Sequence, residues 1–250
     1  MSKVKVLFVA ADPESANPDR PDPRLLLDED VRRIREKVRA AEYRDALEFH
    51  YCWAARPDDL LQALNELSPR VVHFSGHGGV NGLVLVGEDG EPQTVPAAAL
   101  TRLFETFRGE IRLVLLIACH TLELAHALAP CVGCAIGSRG ALPDEAGILF
   151  GASFYRALAF GKSVQAAFQQ ASALLLMEGF GAEVLPELVA GPGVDPAALV
   201  LVSPYATHDP CGHREPRAAT PEIRQELQVM GNRNTVNVVA GDLYGALTPA

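Results

Sequence analysis

The sequence predicts an α/β fold: a mainly parallel central sheet of about six strands, helices on both faces, and a small C-terminal β-type tail. Short, uninterrupted apolar runs such as LVLLI at 113–117 stop at small or polar residues, as strands buried on both faces do. Stretches with helical apolar spacing alternate with these runs, which is the pattern of βαβ units. At 250 residues the chain suits one medium domain with an appendage.

Taken in order, residues 4–10 read as the first strand. That apolar run ends at Asp12, too short and too acidic at its end for a signal peptide. Residues 11–24 form an acidic loop with four prolines, expected to be a solvated rim. Leu27, Val31, Ile34 and Val38 then give a helix one apolar stripe, with charged residues filling the gaps. A second strand follows at 46–53. Pro57 opens a helix at its first turn, where a missing N–H costs nothing, and Pro69 ends it.

Residues 71–74 are the third strand and run into Ser75-Gly76-His77-Gly78-Gly79. Residues 82–95 suggest a surface hairpin turning at Glu88-Asp89-Gly90. Leu100, Leu103, Phe104 and Phe107 mark the next helix. The fourth strand, 113–117, leads into Ala118-Cys119-His120, and Thr121 is a natural N-cap for a helix through Ala129. A fifth strand is expected at 132–137. Asp144 can cap a long helix with Ile148, Leu149, Ala152, Tyr155 and Leu158 facing inward, and Gly161 stops it. Ser163 starts a further helix through about Met177, and 199–202 reads as a last strand. The domain division is therefore 1–203, a proline-rich linker at 204–222, and a docking or regulatory tail at 223–250.

Bulk properties narrow the function. A formal charge of −9 argues against a nucleic-acid partner, and no apolar run is long enough to span a bilayer. Five cysteines, an odd number, do not suggest a disulfide framework, so a reducing cytoplasm is the expected location. Two neighbouring strands ending in His77 and Cys119 would bring an imidazole and a thiol to one rim of the sheet, where open α/β folds collect their chemistry. A thiolate attacks carbonyls when a base lies beside it, and the backbone N–H of Gly78 is suited to an oxyanion. The duller alternative is a small buried thiol.

Cys131 and Cys134 have metal or redox spacing, and Cys211 with His213 would complete four zinc ligands on paper. An offset of three across a strand points the first two to opposite faces, so no metal and no cofactor are expected. His73 reads as a core group, and His120 as pointing away from the thiol into the helix start. Gly76-x-Gly78-Gly79 lacks the features of a phosphate cradle.

HFSGHG, followed after a hairpin and a helix by a strand ending in ACHT, resembles the CHAT domain, a caspase-like cysteine peptidase of bacteria related to separase. LLLDEDVRRIREKVRAA and RPDDLLQAL resemble the family's first two helices, and CAIGSRGALPDEAGILFGASFYRALAFGKSVQAAF its segment after the catalytic strand. The resemblance implies a caspase-like three-layer α/β/α fold, His77 and Cys119 as a catalytic dyad, and an oxyanion hole from the N–H groups of Gly78 and Cys119. It implies a protein substrate and a role in bacterial defence or cell death, under a sensor or adaptor recruited through the tail. Asp144 falls where related enzymes carry the aspartate of a pocket for a basic P1 side chain, a position equally suited to capping. Arg139 stands in the same pocket region where a small residue is commoner, and Ile117 replaces a frequent asparagine. The alternative is a caspase-like protein-interaction module with its dyad unused.

Overall fold

The computed structural model describes residues 3–13 and 24–202. The linker, the tail, Cys211 and His213 lie outside the described residues.

The elements run β1 (Val4–Ala11), α1 (Leu27–Arg39), β2 (Leu47–Trp53), α2 (Pro57–Leu67), β3 (Val71–Gly76), β4 (Gly78–Gly79), β5 (Gly82–Val86), β6 (Pro92–Pro96) and α3 (Ala97–Glu105). They continue with β7 (Leu113–Ile117), α4 (Leu122–Val132), β8 (Cys134–Gly137), α5 (Asp144–Ala159), α6 (Val164–Met177) and β9 (Glu187–Ala190). Six strands form the central sheet in the order β2-β1-β3-β7-β8-β9. All its pairings are parallel except β8 with β9.

Alternation along each strand divides the core in two. Val6, Phe8, Val71, Leu113 and Leu115 pack with α1, α5 and α6 on one face. Leu7, Val9, Val72, Phe74, Val114 and Leu116 pack with α2, α3 and α4 on the other. This is the three-layer α/β/α arrangement the strand and helix periods predict.

Four expectations need correcting. The last strand is not 199–202 but β9: Leu201 and Val202 are buried in irregular chain, and the Leu199 carbonyl accepts the Val164 N–H at 2.9 Å. Residues 82–95 do form a hairpin, but Leu83 and Leu85 are buried against the α2/α3/α4 face, and β4 adds a third strand. The hairpin also anchors the rim, since the Val84 N–H donates to the His77 carbonyl at 3.0 Å. α4 runs on to Val132 through Pro130, so Cys131 is helical and only Cys134 belongs to β8. The two thiols still lie on opposite sides of the sheet, Cys131 in one apolar cluster and Cys134 in the other.

Thr121 stands at the expected cap position without capping. Its buried hydroxyl donates to the Ala118 carbonyl at 3.0 Å and accepts the Ser138 N–H at 3.1 Å. It therefore ties the ends of β7 and β8 together, and the Leu122 N–H adds a bond to the Ser138 carbonyl at 3.0 Å.

Candidate active site

The site is built where β3 and β7 run out. Their parallel register ends with Ser75 opposite Ile117, so His77 and Cys119 each lie two residues beyond the same rung. The segments that carry them stay in contact. A Cβ on Gly78 would come within 2.7 Å of the Cys119 carbonyl and 2.9 Å of the Ala118 side chain, so this rim closes only around a glycine.

The sulfur has a defined environment. The Leu142 N–H donates to Cys119 Sγ at 3.3 Å, and the Leu142 carbonyl lies 3.9 Å from it. Such a donor is worth more to a negatively charged sulfur than to a neutral one. The next residue, His120, takes a positive φ of 55°, a conformation that costs a non-glycine residue about 1 kcal/mol or more. It is held there by its N–H to the Gly140 carbonyl at 3.0 Å and its Nδ1 3.3 Å from the Arg139 carbonyl. His120 thus points to the 138–143 loop, away from the helix start expected for it. The sharp turn ends β7 at the thiol.

His77 has a partner that sequence reading missed. Its Nε2 lies 3.0 Å from Asp12 Oδ1. The Asp12 side chain is only 9% exposed, so it is not part of a solvated rim. Its other oxygen accepts the Leu25 N–H at 3.3 Å and lies 3.2 Å from Arg24 Nε. The signal was available: Asp12 directly ends a buried strand neighbouring β3, whereas the acids after it do not. With Nε2–H donated to Asp12, the lone pair of the neutral ring sits on Nδ1.

The two pocket candidates are placed differently. Asp144 begins α5, but Pro143 occupies the cap position and the Asp144 side chain makes no cap bond. Its Oδ2 instead accepts the Leu26 N–H at 3.0 Å. It follows Leu142 by two residues, close along the chain to the sulfur's donor. Arg139 sends its guanidinium to Glu187 Oε1 on β9, at 2.9 Å from Nε and 2.8 Å from Nη2. His73 is a core group, as expected, but it faces a second acid: Asp30 of α1 is buried too, where the sequence suggests a charge in the gap between apolar positions. Among the described residues no three His, Cys, Asp or Glu side chains converge as metal ligands.

A mainly parallel sheet of this order, with a thiol and an imidazole just past the carboxyl ends of adjacent central strands, defines a caspase-like α/β/α protein. Two solved structures share the fold. The Arg-specific cysteine proteinase gingipain R matches at TM-score 0.55 and 12% identity, over 78% of this chain and 47% of that one. Caspase-1 from Spodoptera frugiperda matches at TM-score 0.50 and 8% identity, over 76% of this chain and 87% of the other. The CHAT domain family model matches residues 6–179, and the chain belongs to the CHAT-domain family. A Roc-COR-CHAT protease from an unknown prokaryotic organism is 23% identical over 125 residues, 47% of this chain; the match spans only 12% of that relative. No helix among the described residues is long and apolar enough to cross a membrane.

Proposed function

We propose that the chain is a cysteine endopeptidase that uses His77 and Cys119 to cleave a protein partner after a basic residue. The observation that carries this reading is the shared register of β3 and β7, with Gly78 packed on the Cys119 carbonyl. Asp12 holds the imidazole by Nε2–H, so Nδ1 is the nitrogen that takes the thiol proton. The thiolate then attacks the scissile carbonyl, and the N–H groups of Gly78 and Cys119 receive the oxyanion. The imidazolium protonates the leaving amine, and water hydrolyses the thioester with the same ring as base.

Asp144 is the residue proposed to receive the basic P1 side chain. A carboxylate two residues past the Leu142 N–H that holds the thiol suits a guanidinium or ammonium group, and the Leu26 N–H fixes it in place. Arg139, paired with Glu187, borders that pocket. The circuit we propose is bacterial defence or programmed cell death, with a sensor or adaptor recruiting the peptidase through residues 223–250. Supporting that setting is the prokaryotic relative named as a protease, in which the matching stretch is a small part of the whole.

The test is covalent labelling of the full chain by an electrophilic peptide ending in Arg or Lys, followed by cleavage profiling on a peptide library. Labelling confined to Cys119, absent in Cys119→Ala and much slowed in His77→Ala, is the expected result. A chain that neither labels nor cleaves any library peptide would leave only the interaction-module alternative.

A further inference from the structure

A second Asp–His pair, His73 of β3 with Asp30 of α1, lies wholly inside the protein, its histidine four residues before His77 along the chain. His73 and Ser75 share the face of β3 turned toward α1 and α5, because their neighbours Val72 and Phe74 fill the opposite core. Asp30, in the first turn of α1, puts its Oδ2 3.9 Å from His73 Nε2, and the two side chains are 1% and 0% exposed. Tyr155 of α5 stacks on the His73 ring at 5.6 Å, and Phe8 of β1 lies 4.5 Å from it. Both oxygens of Asp30, both nitrogens of His73 and the Tyr155 hydroxyl are buried and within ordinary hydrogen-bond distance of no partner among the described residues, although the Ser75 hydroxyl lies close enough to ease a charge on Asp30. An apolar trio would fill this space at lower cost, so the polar cluster calls for a role beyond packing.

α1 supplies that role, because the segment entering it holds the rim. Arg24 and the Leu25 N–H bind Asp12, the partner of His77, and the Leu26 N–H binds Asp144. The Asp30 N–H closes the first helical turn on the Leu26 carbonyl at 3.0 Å. Asp30 is thus tied, through the first turn of α1, to the backbone that contacts both rim carboxylates.

We propose that Asp30 and His73 are positioning residues of the candidate active site, their buried contact setting where α1 lies on β3 and thereby how Asp12 holds His77. The inference rests on the Cys–His peptidase reading. It gives the site a dependence on pH that the dyad alone does not have. Burial pushes the Asp30 carboxyl up to about 7, with Ser75 opposing and Asp144 adding to the rise. Burial pushes the His73 imidazole down to about 3. Below neutrality the pair is an acid facing a neutral ring; above it, a carboxylate is left in the core. The groups that face Asp30 are His73 and Ser75 from β3, Tyr155 and the more distant Asp144 from α5, with Tyr51 of β2 acting on Tyr155. None of these supplies a positive charge to compensate the carboxylate.

The experiment measures kcat and KM on a basic-P1 peptide from pH 5.5 to 9 for the full chain and Asp30→Asn, with the His77 ring resonances followed by NMR over the same range. Wild type is expected to lose kcat about fivefold through a limb near pH 7, with KM moving less than about twofold. Asp30→Asn, which stays neutral, is expected to lack that limb, and the His77 resonances to lose an inflection at the same pH. Profiles of identical shape and identical His77 titrations in the two proteins would overturn the proposal. If Asp30→Asn does not fold, His73→Gln replaces it: the limb must move from its wild-type midpoint, and an unmoved limb overturns the proposal. A wild type with no hydrolysis at all sinks the peptidase reading separately, and the His77 resonances then judge the positioning alone.

Discussion

The two Asp–His pairs on and just past β3 use the same side chains, their histidines four residues apart, and have opposite environments. At the rim, Asp12 and His77 are 3.0 Å apart, the imidazole is 26% exposed, and the carboxylate has an arginine and a backbone N–H besides. In the core, Asp30 and His73 are 3.9 Å apart and shut away from water. The difference teaches what a pair of this kind needs to do chemistry. Orientation by a satisfied carboxylate, with access for a substrate, is what the proposed general base needs; burial makes a group that carries its proton differently from its free form, which suits the positioning role proposed for the core pair.

The comparison breaks most directly at the sulfur. Cys119→Ala should reduce peptide hydrolysis to background, and His77→Ala should lower kcat/KM by roughly 10²- to 10⁴-fold in the same steady-state assay. Retained activity in either variant would mean that the rim pair is not the reactive one.

The core pair should govern stability instead. Because the Asp30 carboxyl is raised from an ordinary value of 3.8 to about 7, the native state holds a proton there that the unfolded chain has lost. Stability attributable to this group is therefore fullest at low pH, falls as pH rises from about 4 to 7, and is constant above. The total is at most on the order of 4 kcal/mol, and less if water or local movement relieves the charge. The His73 imidazole, pushed down to about 3 by burial, contributes the opposite slope between about 3 and 6.5. In wild type the two should largely cancel, whereas in Asp30→Asn stability should rise with pH over that range. Urea titrations with equal slopes in the two proteins would refute the buried acid.

Asp12→Asn should do the reverse. It removes the charge that holds the imidazolium, so kcat should fall by roughly 10- to 10²-fold while urea stability changes little. A large loss of stability with intact kcat would place Asp12 with the core pair.

Gly78→Ala sharpens the geometry of the rim. The added methyl meets backbone at Cys119, so a loss of about 1–2 kcal/mol in thermal unfolding is expected, together with slower labelling of the thiol. The smallest effect belongs to Arg139→Ala. Its ion pair with Glu187 is 71% and 44% exposed, and the change in stability should stay below about 0.5 kcal/mol, whatever it does to P1 preference.

Much of this architecture is legible in the chain. β7 and β3 announce themselves as apolar runs stopping at Ala118 and Ser75, and the placing of His77 and Cys119 on neighbouring strands needs no more than that grammar and the resemblance of HFSGHG and ACHT. α1, α2, α5 and α6 follow from apolar spacing, Pro57, Gly161 and Ser163. β9 was not legible: ELVA is four residues between Pro186 and Gly191, too short to show a period, and it is fixed by pairing with β8. The capping role of Thr121 was misread because a hydroxyl at that position has competing partners, and here the β8 end supplies the Ser138 N–H.

The sequence by itself determined the layers, since periods of two and of about 3.6 decide which face each residue turns to a neighbour. It also determined the rim residues carried at the ends of β3 and β7. Only the tertiary structure decided which acids attend which imidazoles. Asp12 ends an apolar strand and Asp30 stands in a charged helical stretch, but neither setting names its partner, and the partners lie 65 and 43 positions away. Asp12 was set at the rim by the end of β1 beside β3, and Asp30 was carried into the interior by the docking of α1, both long-range events that no local pattern encodes.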